Sequence, residues 1–246
     1  MKFQTLMSSC AFLAATAAPG LTWSATPCPP PQVSVQGGTT ASTTCGTSTS
    51  GSSYSTNFPA TENPISENGA WTNVGLDWTL VDTTPGLAFG TNGANDAYDD
   101  SYAHLSGFAA DQTVQVTIHK ASNIPSSETH EAEILLRWAD SAHNARGYEV
   151  SVNFQGALNV VRWNGALGNF TVLGLDSGGS PNSISNGDVF KATISGSTIS
   201  VYLNGSRIAT AHDSTFASGN PGMGFFKRVA GSNSVFGFSS FAATSP

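Results

Sequence analysis

The sequence predicts an all-β fold, an antiparallel two-sheet β-sandwich. In the stretch 187–226, apolar and polar residues alternate with a period of two, as expected of half-buried strands. The pair Asn204-Gly205 separates two of these strands and favours a type I′ hairpin turn, because both residues tolerate positive φ. A chain of 246 residues with 39% hydrophobic and only 10% charged residues can bury one core of this kind.

Residues 1–18 have the pattern of a secretory signal peptide. Lys2 precedes an apolar segment, and the small residues Ala15 and Ala17 follow. The apolar run is shorter than the roughly 20 residues that a membrane-spanning helix needs. We therefore expect cleavage near Ala17 or Ala18, a secreted or cell-surface location and no transmembrane segment.

Residues 19–57 are predicted to form a linker or stalk rich in Pro, Ser, Thr and Gly. From Ala25 to Asn57 no residue is charged, and there is too little apolar surface for independent folding. An added edge strand at residues 33–35 is the alternative interpretation. In an oxidising compartment, Cys28 and Cys45 are expected to form one disulfide. The folded domain is predicted to span residues 58–246.

The charge and the motifs of the chain narrow the classes of function. A net charge of −7 disfavours nucleic acid as a partner, since phosphate binding needs a basic surface. The sequence has no G-x-S-x-G, H-E-x-x-H, C-x-x-C or P-loop motif, so serine hydrolase, zinc protease and nucleotide-binding functions lack support. We expect a monomer.

Strand alternation also predicts a polar face shared by neighbouring strands at residues 112–119, 130–140, 147–155 and 158–163. Even-numbered apolar residues would fill the interior, and the polar residues between them would face solvent. This predicted polar face contains His119, Glu131, Glu133, Arg137, Glu149, Asn153, Gln155 and Arg162, and is flanked by Trp163 and Tyr102.

The hairpin at residues 187–226 resembles that of laminin-G-like and concanavalin A-like jelly rolls. The opening Asn63–Trp71 (NPISENGAW) and the segments 147–150 (GYEV) and 162–165 (RWNG) are similar to the same group. The resemblance implies a jelly roll, and most known members bind or cut polysaccharides. It therefore implies a glycan site on the polar face, with Tyr102, Glu149, Asn153, Gln155, Arg162 and Trp163 as ligand-binding residues.

Cleavage of the glycan is the second hypothesis, with His119, Glu131, Glu133 and Arg137 as catalytic candidates. The segment 130–138 (HEAEILLRW) resembles the E-x-D-x-x-E strand of the laminarinase group, which implies a glycoside hydrolase that uses Glu131 and Glu133. The segment 116–119 (VTIH) is similar to a strand of jelly-roll alginate lyases, which implies a lyase that uses His119, Arg137 and Asn153.

Two further interpretations of the polar face stay open. One is a solvated surface with cross-strand ion pairs such as Glu133–Arg137 or Glu149–Arg162, which needs no ligand. The other is a cell-surface adhesion module carried on the stalk.

A turn-rich acidic segment offers ligands for structural calcium. Asp96, Asp99 and Asp100 supply the hard oxygen atoms that Ca²⁺ prefers. Calcium-binding jelly rolls of this group often place a carboxylate on the last strand as well, but residues 235–246 contain none. A solvated acidic loop is the alternative.

Overall fold

The computed structural model of the protein describes residues 51–91, 99–124, 129–228 and 232–246. Within these residues fifteen strands form two sheets, one of nine strands and one of six. The strands are β1 (Ser53–Thr56), β2 (Val81–Thr84), β3 (Leu87–Gly90), β4 (Asp99–His104), β5 (Gln112–Lys120), β6 (Thr129–Ser141), β7 (Asn144–Asn153), β8 (Leu158–Gly165), β9 (Phe170–Val172), β10 (Leu175–Gly178), β11 (Val189–Ser195), β12 (Thr198–Leu203), β13 (Ser206–His212), β14 (Asn220–Arg228) and β15 (Phe236–Thr244).

The two sheets are antiparallel. The first has the order β10-β13-β12-β11-β5-β15-β3-β2, with β1 paired to β15, and the second has the order β4-β14-β6-β7-β8-β9. The predicted all-β, two-sheet sandwich is therefore confirmed.

The hairpin that carried the fold prediction lies in the nine-stranded sheet. Asn204 and Gly205 have φ of 49° and 81°, the values that a type I′ turn requires, and they join β12 to β13 with Leu203 opposite Ser206. On the other side, β11 pairs with β12 and then with β5. Local turns thus set the register of β11, β12 and β13, whereas the pairing of β11 with β5 joins distant parts of the chain.

The main core lies between the two sheets and follows the predicted alternation. Each strand contributes every second side chain, so the buried positions read as apolar and their neighbours as polar. The fully buried members include Val114, Val116 and Ile118 of β5, Ala132, Ile134 and Leu136 of β6, and Tyr148, Val150 and Val152 of β7.

Strand β1 extends the sandwich into the segment that was predicted to be linker. It pairs antiparallel with β15, and Tyr54 is buried against Trp71, with the two rings edge to face at 5.6 Å. The Tyr54 hydroxyl and the Trp71 indole both donate hydrogen bonds to Glu67. The sandwich therefore includes Ser53, five residues before the predicted start at Phe58, because a short polar strand gains its stability from pairing with β15.

Strand β6 contains one residue more than its partner β7 between paired positions. Leu136 lies opposite Tyr148, whereas Ala139 already lies opposite Arg146, which defines a β-bulge at residues 137–138. Arg137 adopts φ of 50°, and its extra amide donates to the side chain of Gln112 at 2.9 Å. The bulge reverses the alternation from Arg137 onward.

The predicted signal peptide, the stalk and the Cys28–Cys45 disulfide lie outside the described residues. In the part of the chain that the structure describes, no helix has the length and apolarity needed to span a membrane.

Candidate functional site

The outer face of the six-stranded sheet is divided into two halves. In one half, aromatic and aliphatic side chains form a second buried cluster, separate from the core between the sheets. We call it the aromatic cluster; it consists of Trp78, Tyr102, Leu135, Trp138, Ala145, Val161 and Trp163. Trp78 belongs to the loop before β2 and packs edge to face on Tyr102 and on Trp163, with ring centroids 5.7 Å apart in both cases. This loop therefore covers that half of the sheet.

Asp140 fixes the covering loop to the sheet. Its carboxylate accepts hydrogen bonds from the Tyr102 hydroxyl at 2.6 Å and the Val74 amide at 2.9 Å, and contacts His104 Nε2 at 3.0 Å. Burial alone would raise the pKa of Asp140, but the hydrogen bonds from His104, Tyr102 and Val74 outweigh it and lower the pKa to about 2. Asp140 is therefore ionised at neutral pH and acts as an acceptor for all three groups.

The other half of the outer face is an open cleft of about 230 Å³. Its floor is formed by residues of β6, β7 and β8, and its ends by residues of β4, β14 and β9. We call it the acidic cleft; it is lined by Asp100, Glu131, Glu133, Glu149, Ser151, Asn159, Val161, Trp163, Phe170, Val172 and Phe226.

Three carboxylates converge on the floor of the acidic cleft. One oxygen from each of Glu131, Glu133 and Glu149 lies within 4.8 Å of the others. Glu131 and Glu133 are two residues apart on β6, and β7 places Glu149 beside them, since Leu135 pairs with Glu149 and Glu133 with Ser151. The alternation of β6 and β7, which is regular up to Leu136, brings these side chains to one face.

Neighbouring groups hold two of the carboxylates in place. The Trp163 indole donates a hydrogen bond of 2.7 Å to Glu149 Oε2, so the aromatic cluster and the acidic cleft share this contact. Glu133 lies over Gly224 of β14, the strand on the other side of β6. Both glutamates are almost fully buried, with exposed fractions of 4% for Glu133 and 6% for Glu149.

Burial raises the pKa of all three carboxyls, and the neighbouring carboxylates raise the pKa of Glu133 and Glu149 further. For Glu133 burial is the larger cause, followed by the charges of Glu149, Asp100 and Glu131, and its pKa lies well above the ordinary value. Burial also raises the pKa of Glu149, to about 7, although the hydrogen bond from Trp163 opposes the shift. Burial raises the pKa of Glu131 as well. The group therefore binds protons at pH values where isolated carboxylates are ionised.

Ser151 adds a buried hydroxyl to the floor of the cleft. It is 1% exposed, and among the described residues its Oγ makes no hydrogen bond of acceptable geometry. The hydroxyl is close enough to Glu131 and Glu149 to oppose the burial that raises their pKa. Buried hydroxyls normally have partners, so this one is available to a group inside the cleft.

The structure brings together some of the predicted site residues. Glu131, Glu133, Glu149 and Trp163 all line the acidic cleft. Asn153 lies opposite Glu131 on β7, but its side chain accepts hydrogen bonds from the amides of Gln155 and Ala157 and so stabilises the β7–β8 turn. Gln155 is an exposed residue of that turn.

Four other predicted residues do not belong to the shared face as expected. His119 lies on β5, in the nine-stranded sheet. The bulge turns Arg137 inward, where it is 4% exposed and donates to the carbonyls of Ala110 and Phe216. Arg162 alternates with Trp163 and pairs with Asp213 at 2.6 Å, and Tyr102 is buried beneath Trp78.

These positions overturn two of the earlier interpretations. A lyase site built from His119, Arg137 and Asn153 is wrong, because the three residues do not share a surface. The proposed surface pairs Glu133–Arg137 and Glu149–Arg162 are wrong for the same reason: Arg137 pairs instead with Asp111 at 3.3 Å.

The predicted calcium ligands are only partly described. Asp96 lies outside the described residues, and so does the side chain of Asp99, whereas Asp100 lines the acidic cleft. Independently, the oxygens of Glu131, Glu133 and Glu149 are close enough together to hold a cation.

Sequence analysis missed the apolar wall of the cleft. Phe170 and Val172 of β9 are 49% and 58% exposed, and Phe226 of β14 closes the opposite end. The alternation of Phe170, Thr171 and Val172 was visible in the sequence, but three residues are too few to establish a strand by themselves. The pairing of Trp163 with Phe170 and of Val161 with Val172 defines this wall.

Comparison with known proteins finds similar chains among solved structures. No family model matches the chain, and no curated protein matches it. The solved structures that resemble it include the carbohydrate-binding module CBM66 from Bacillus subtilis, with 18% identity, a TM-score of 0.49, and coverage of 74% of this chain and 96% of that one.

Two further structures illustrate the range of these neighbours. The β-porphyranase BpGH16B from Bacteroides plebeius has 10% identity and a TM-score of 0.44, covering 78% of this chain and 92% of that one. The potassium-bound carbohydrate recognition domain of Emp46p has 12% identity and a TM-score of 0.47, covering 76% of this chain and 94% of that one. The neighbours are concanavalin A-like sandwiches, as the sequence resemblance predicted, and at these identities the similarity concerns the fold alone.

Proposed function

We propose that the protein binds a glycan in the acidic cleft. The observation that carries this proposal is the combination, in one open cleft, of convergent hydrogen-bonding groups and an exposed aromatic wall. Small-molecule sites are typically concave, mostly apolar, and supplied with a few polar groups that fix orientation. Carboxylates accept paired hydrogen bonds from sugar hydroxyls, and an aromatic ring packs on the C–H face of a pyranose.

Each part of the cleft has a separate role in this proposal. Phe170, 49% exposed and with its ring centroid 5.4 Å from that of Trp163, would pack against the sugar ring. Glu131, the most exposed of the three carboxylates, would accept hydrogen bonds from hydroxyls at the mouth. The Ser151 hydroxyl would bind deeper in the cleft.

Hydrolysis of the bound glycan is the second candidate, and the presence of several neighbouring carboxyls in the cleft favours it. Retaining glycosidases use two carboxyl groups about 5 to 5.5 Å apart, one protonated and one ionised. Oxygens of the three glutamates lie within 4.8 Å of one another. Leu136 occupies the third position of the E-x-D-x-x-E pattern and faces the core, but Glu149 supplies a third carboxyl from the next strand.

In such a reaction Glu149 would act as the general acid. Its raised pKa of about 7 would keep a proton available to the leaving oxygen at mildly acidic pH. Glu131 would attack the anomeric carbon as its carboxylate, and water would later release the sugar with Glu149 acting as base. The site would then use the same cleft for binding and for cleavage.

We also propose that the protein carries out this function outside the cell. The signal-peptide pattern of residues 1–18 and the pair Cys28 and Cys45 support a secreted protein with one disulfide.

A glycan panel tests the proposal. The full chain is titrated with neutral, amino and uronate oligosaccharides, while intrinsic tryptophan fluorescence, released reducing ends and unsaturated products are followed together. We expect saturable binding that Phe170→Ala weakens about tenfold or more. Tyr202→Ala is the matched control, because Tyr202 is a half-buried aromatic residue of β12 in the other sheet.

The outcomes separate the two candidates. Binding without new reducing ends supports recognition alone. New reducing ends that are lost in Glu149→Gln support hydrolysis. Binding that is equal in Phe170→Ala and Tyr202→Ala, or no binding to any glycan, would overturn the proposal.

A further inference from the structure

Three carboxylates of the acidic cleft lack a compensating cation. Among the described side chains, none with a positive charge acts on Glu131, Glu133 or Glu149. Two described cations have partners elsewhere: Arg162 pairs with Asp213 and contacts Thr215, and Lys120 donates to the carbonyls of Phe154 and Ile184. A buried carboxylate is costly unless a cation or a proton compensates it.

A second observation indicates that the missing group belongs to a ligand. Ser151 is almost fully buried, with an exposed fraction of 1%, and lies on the floor of the same cleft. Its Oγ is near the Glu131 and Glu149 carboxylates but forms no hydrogen bond of good geometry with any described residue. A hydroxyl in this position can accept a hydrogen bond from a donor that also reaches the carboxylates.

We propose that the glycan bound in the acidic cleft is an amino sugar, and that its ammonium group lies among Glu131, Glu133 and Glu149. This inference rests on the proposed glycan-binding function and specifies its ligand class. A sugar with a free amine at neutral or mildly acidic pH carries the charge that the cleft lacks.

The three carboxylates are close enough to one another to bind a single ammonium group. An ammonium nitrogen that donates three hydrogen bonds of about 2.8 Å in tetrahedral directions has acceptors about 4.6 Å apart. The oxygens of the three glutamates lie within 4.8 Å of one another. Calcium would find three protein carboxylates here, whereas it takes six to eight oxygen ligands, so a metal ion would depend on many waters.

The same residues exclude acidic glycans. A uronate carboxylate or a sulfate ester would enter a cleft that already contains Glu133 and Glu149, each almost fully buried. An acidic group would leave these carboxyls protonated and without an ionic partner, and any of them that ionises would repel it where solvent screening is weak. The apolar wall of Phe170 and Val172 remains suitable for the ring of any pyranose, so the charge alone distinguishes the ligand classes.

A comparison of matched oligosaccharides tests the inference. The full chain is titrated calorimetrically at pH 6 and 150 mM salt with glucosamine oligomers, with N-acetylglucosamine oligomers of the same length, with neutral glucan oligomers and with uronate oligomers. At this pH an amine of ordinary pKa is protonated. We expect the glucosamine oligomers to bind at least about tenfold more tightly than the N-acetylated ones.

Two variants separate the site from the general charge of the protein. Because the chain has a net charge of −7, any cationic oligomer could associate with it weakly. Glu133→Gln should reduce the preference for glucosamine oligomers to within about twofold. Asp176→Asn removes one exposed charge from β10 in the other sheet and should leave the preference unchanged.

Each other result overturns the inference in an identifiable way. Equal binding of acetylated and free amine forms, or tightest binding of uronates, refutes the ammonium site while leaving glycan binding intact. The ammonium site is also refuted if Glu133→Gln keeps the full preference for glucosamine oligomers, if trilysine binds as tightly as the sugar, or if calcium chloride alone binds in place of the sugar. If no oligosaccharide binds, the proposed function itself fails.

Discussion

Glu133 lies across Gly224, so that a methyl group added to this glycine would come within 2.3 Å of Glu133 Oε2. The two residues are direct partners in the pairing of β6 with β14. The missing side chain of Gly224 therefore gives Glu133 the space in which it approaches Glu131 and Glu149.

Gly224→Ala should displace Glu133 and weaken glycan binding about three- to tenfold. The new methyl group would displace the end of the Glu133 side chain and lie 3.2 Å from the backbone oxygen of Ser101, so we expect the free energy of unfolding to fall by about 1 to 3 kcal/mol. Titration with the tightest glycan of the panel and urea denaturation measure the two effects. Gly222→Ala is the contrast, because its methyl group would meet the backbone oxygen of Ala103 at 2.6 Å and should destabilise the fold instead. Unchanged binding in Gly224→Ala would show that the position of Glu133 is irrelevant to the ligand.

Glu149 should make the folded protein less stable as the pH rises. Its pKa is about 7 in the folded protein because burial raises it, compared with 4.5 for the ordinary group. The unfolded chain therefore releases this proton first, and the free energy of unfolding falls between pH 4.5 and about 7. The contribution of Glu149 to this fall is about 3 kcal/mol.

Glu149→Gln should remove this part of the pH dependence. The amide oxygen of the variant can still accept the hydrogen bond from Trp163, while the amide group does not titrate in this range. Urea denaturation at intervals from pH 4.5 to 8 should give a flatter curve for the variant, with Glu133 still contributing a slope. Parallel curves for the two proteins would contradict the assignment of the proton to Glu149.

Asp140→Asn should loosen the loop that covers the aromatic cluster. The amide that replaces the carboxylate can keep at most part of the hydrogen bonding to Val74, Tyr102 and His104, and we expect a loss of about 2 kcal/mol in stability. Hydrogen exchange should accelerate in residues 72–78, which include Trp78. Asp77→Asn provides the control, since the Asp77 carboxylate lies in the same loop and pairs with the exposed His143 at 2.6 Å. Equal exchange in both variants would mean that other contacts hold the loop.

Arg137→Gln should reduce stability without changing glycan affinity. The variant leaves the carbonyls of Ala110 and Phe216 without their charged donor in a buried site, at a cost of about 2 to 3 kcal/mol. Arg207→Gln, an exposed position on β13, should change stability by less than about 0.5 kcal/mol. A loss of affinity in Arg137→Gln under conditions where the variant is fully folded would place Arg137 in the binding site after all.

Alternation predicted that Glu131, Glu133 and Glu149 lie on one face, but the expected exposure to solvent was wrong for Glu133 and Glu149, which are almost fully buried. Glu131, Glu133 and Glu149 could be assigned to one face because β6 and β7 have a strict period of two as far as Leu136. The assignment failed at Arg137, since nothing in the sequence distinguishes a strand with one additional residue from a regular one. The bulge depends on contacts from distant parts of the chain. The side chain of Gln112 accepts a hydrogen bond from the Arg137 amide, and Gly219, which has no side chain, allows close approach to the Arg137 backbone.

The sequence also left the sheet membership of strands undetermined. The alternation of β5 shows only that His119 and Ile118 point to opposite sides of the strand. It does not show which sheet the strand joins, and β5 lies in the nine-stranded sheet. The order of strands depends on long-range pairing that local patterns do not encode. The hairpin at Asn204-Gly205 was predictable because its turn chemistry is entirely local.

The single additional residue in β6 determines how much of the sheet a ligand can reach. With regular alternation, Arg137 would stand next to Leu135 on the outer face and Trp138 would enter the interior. The loop carrying Trp78 would then meet a guanidinium group where it now meets an indole. The bulge exchanges those two side chains and so gives the loop an apolar surface to pack against. Because the loop covers that half of the sheet, solvent and any dissolved sugar reach only the three glutamates and the apolar wall beside them.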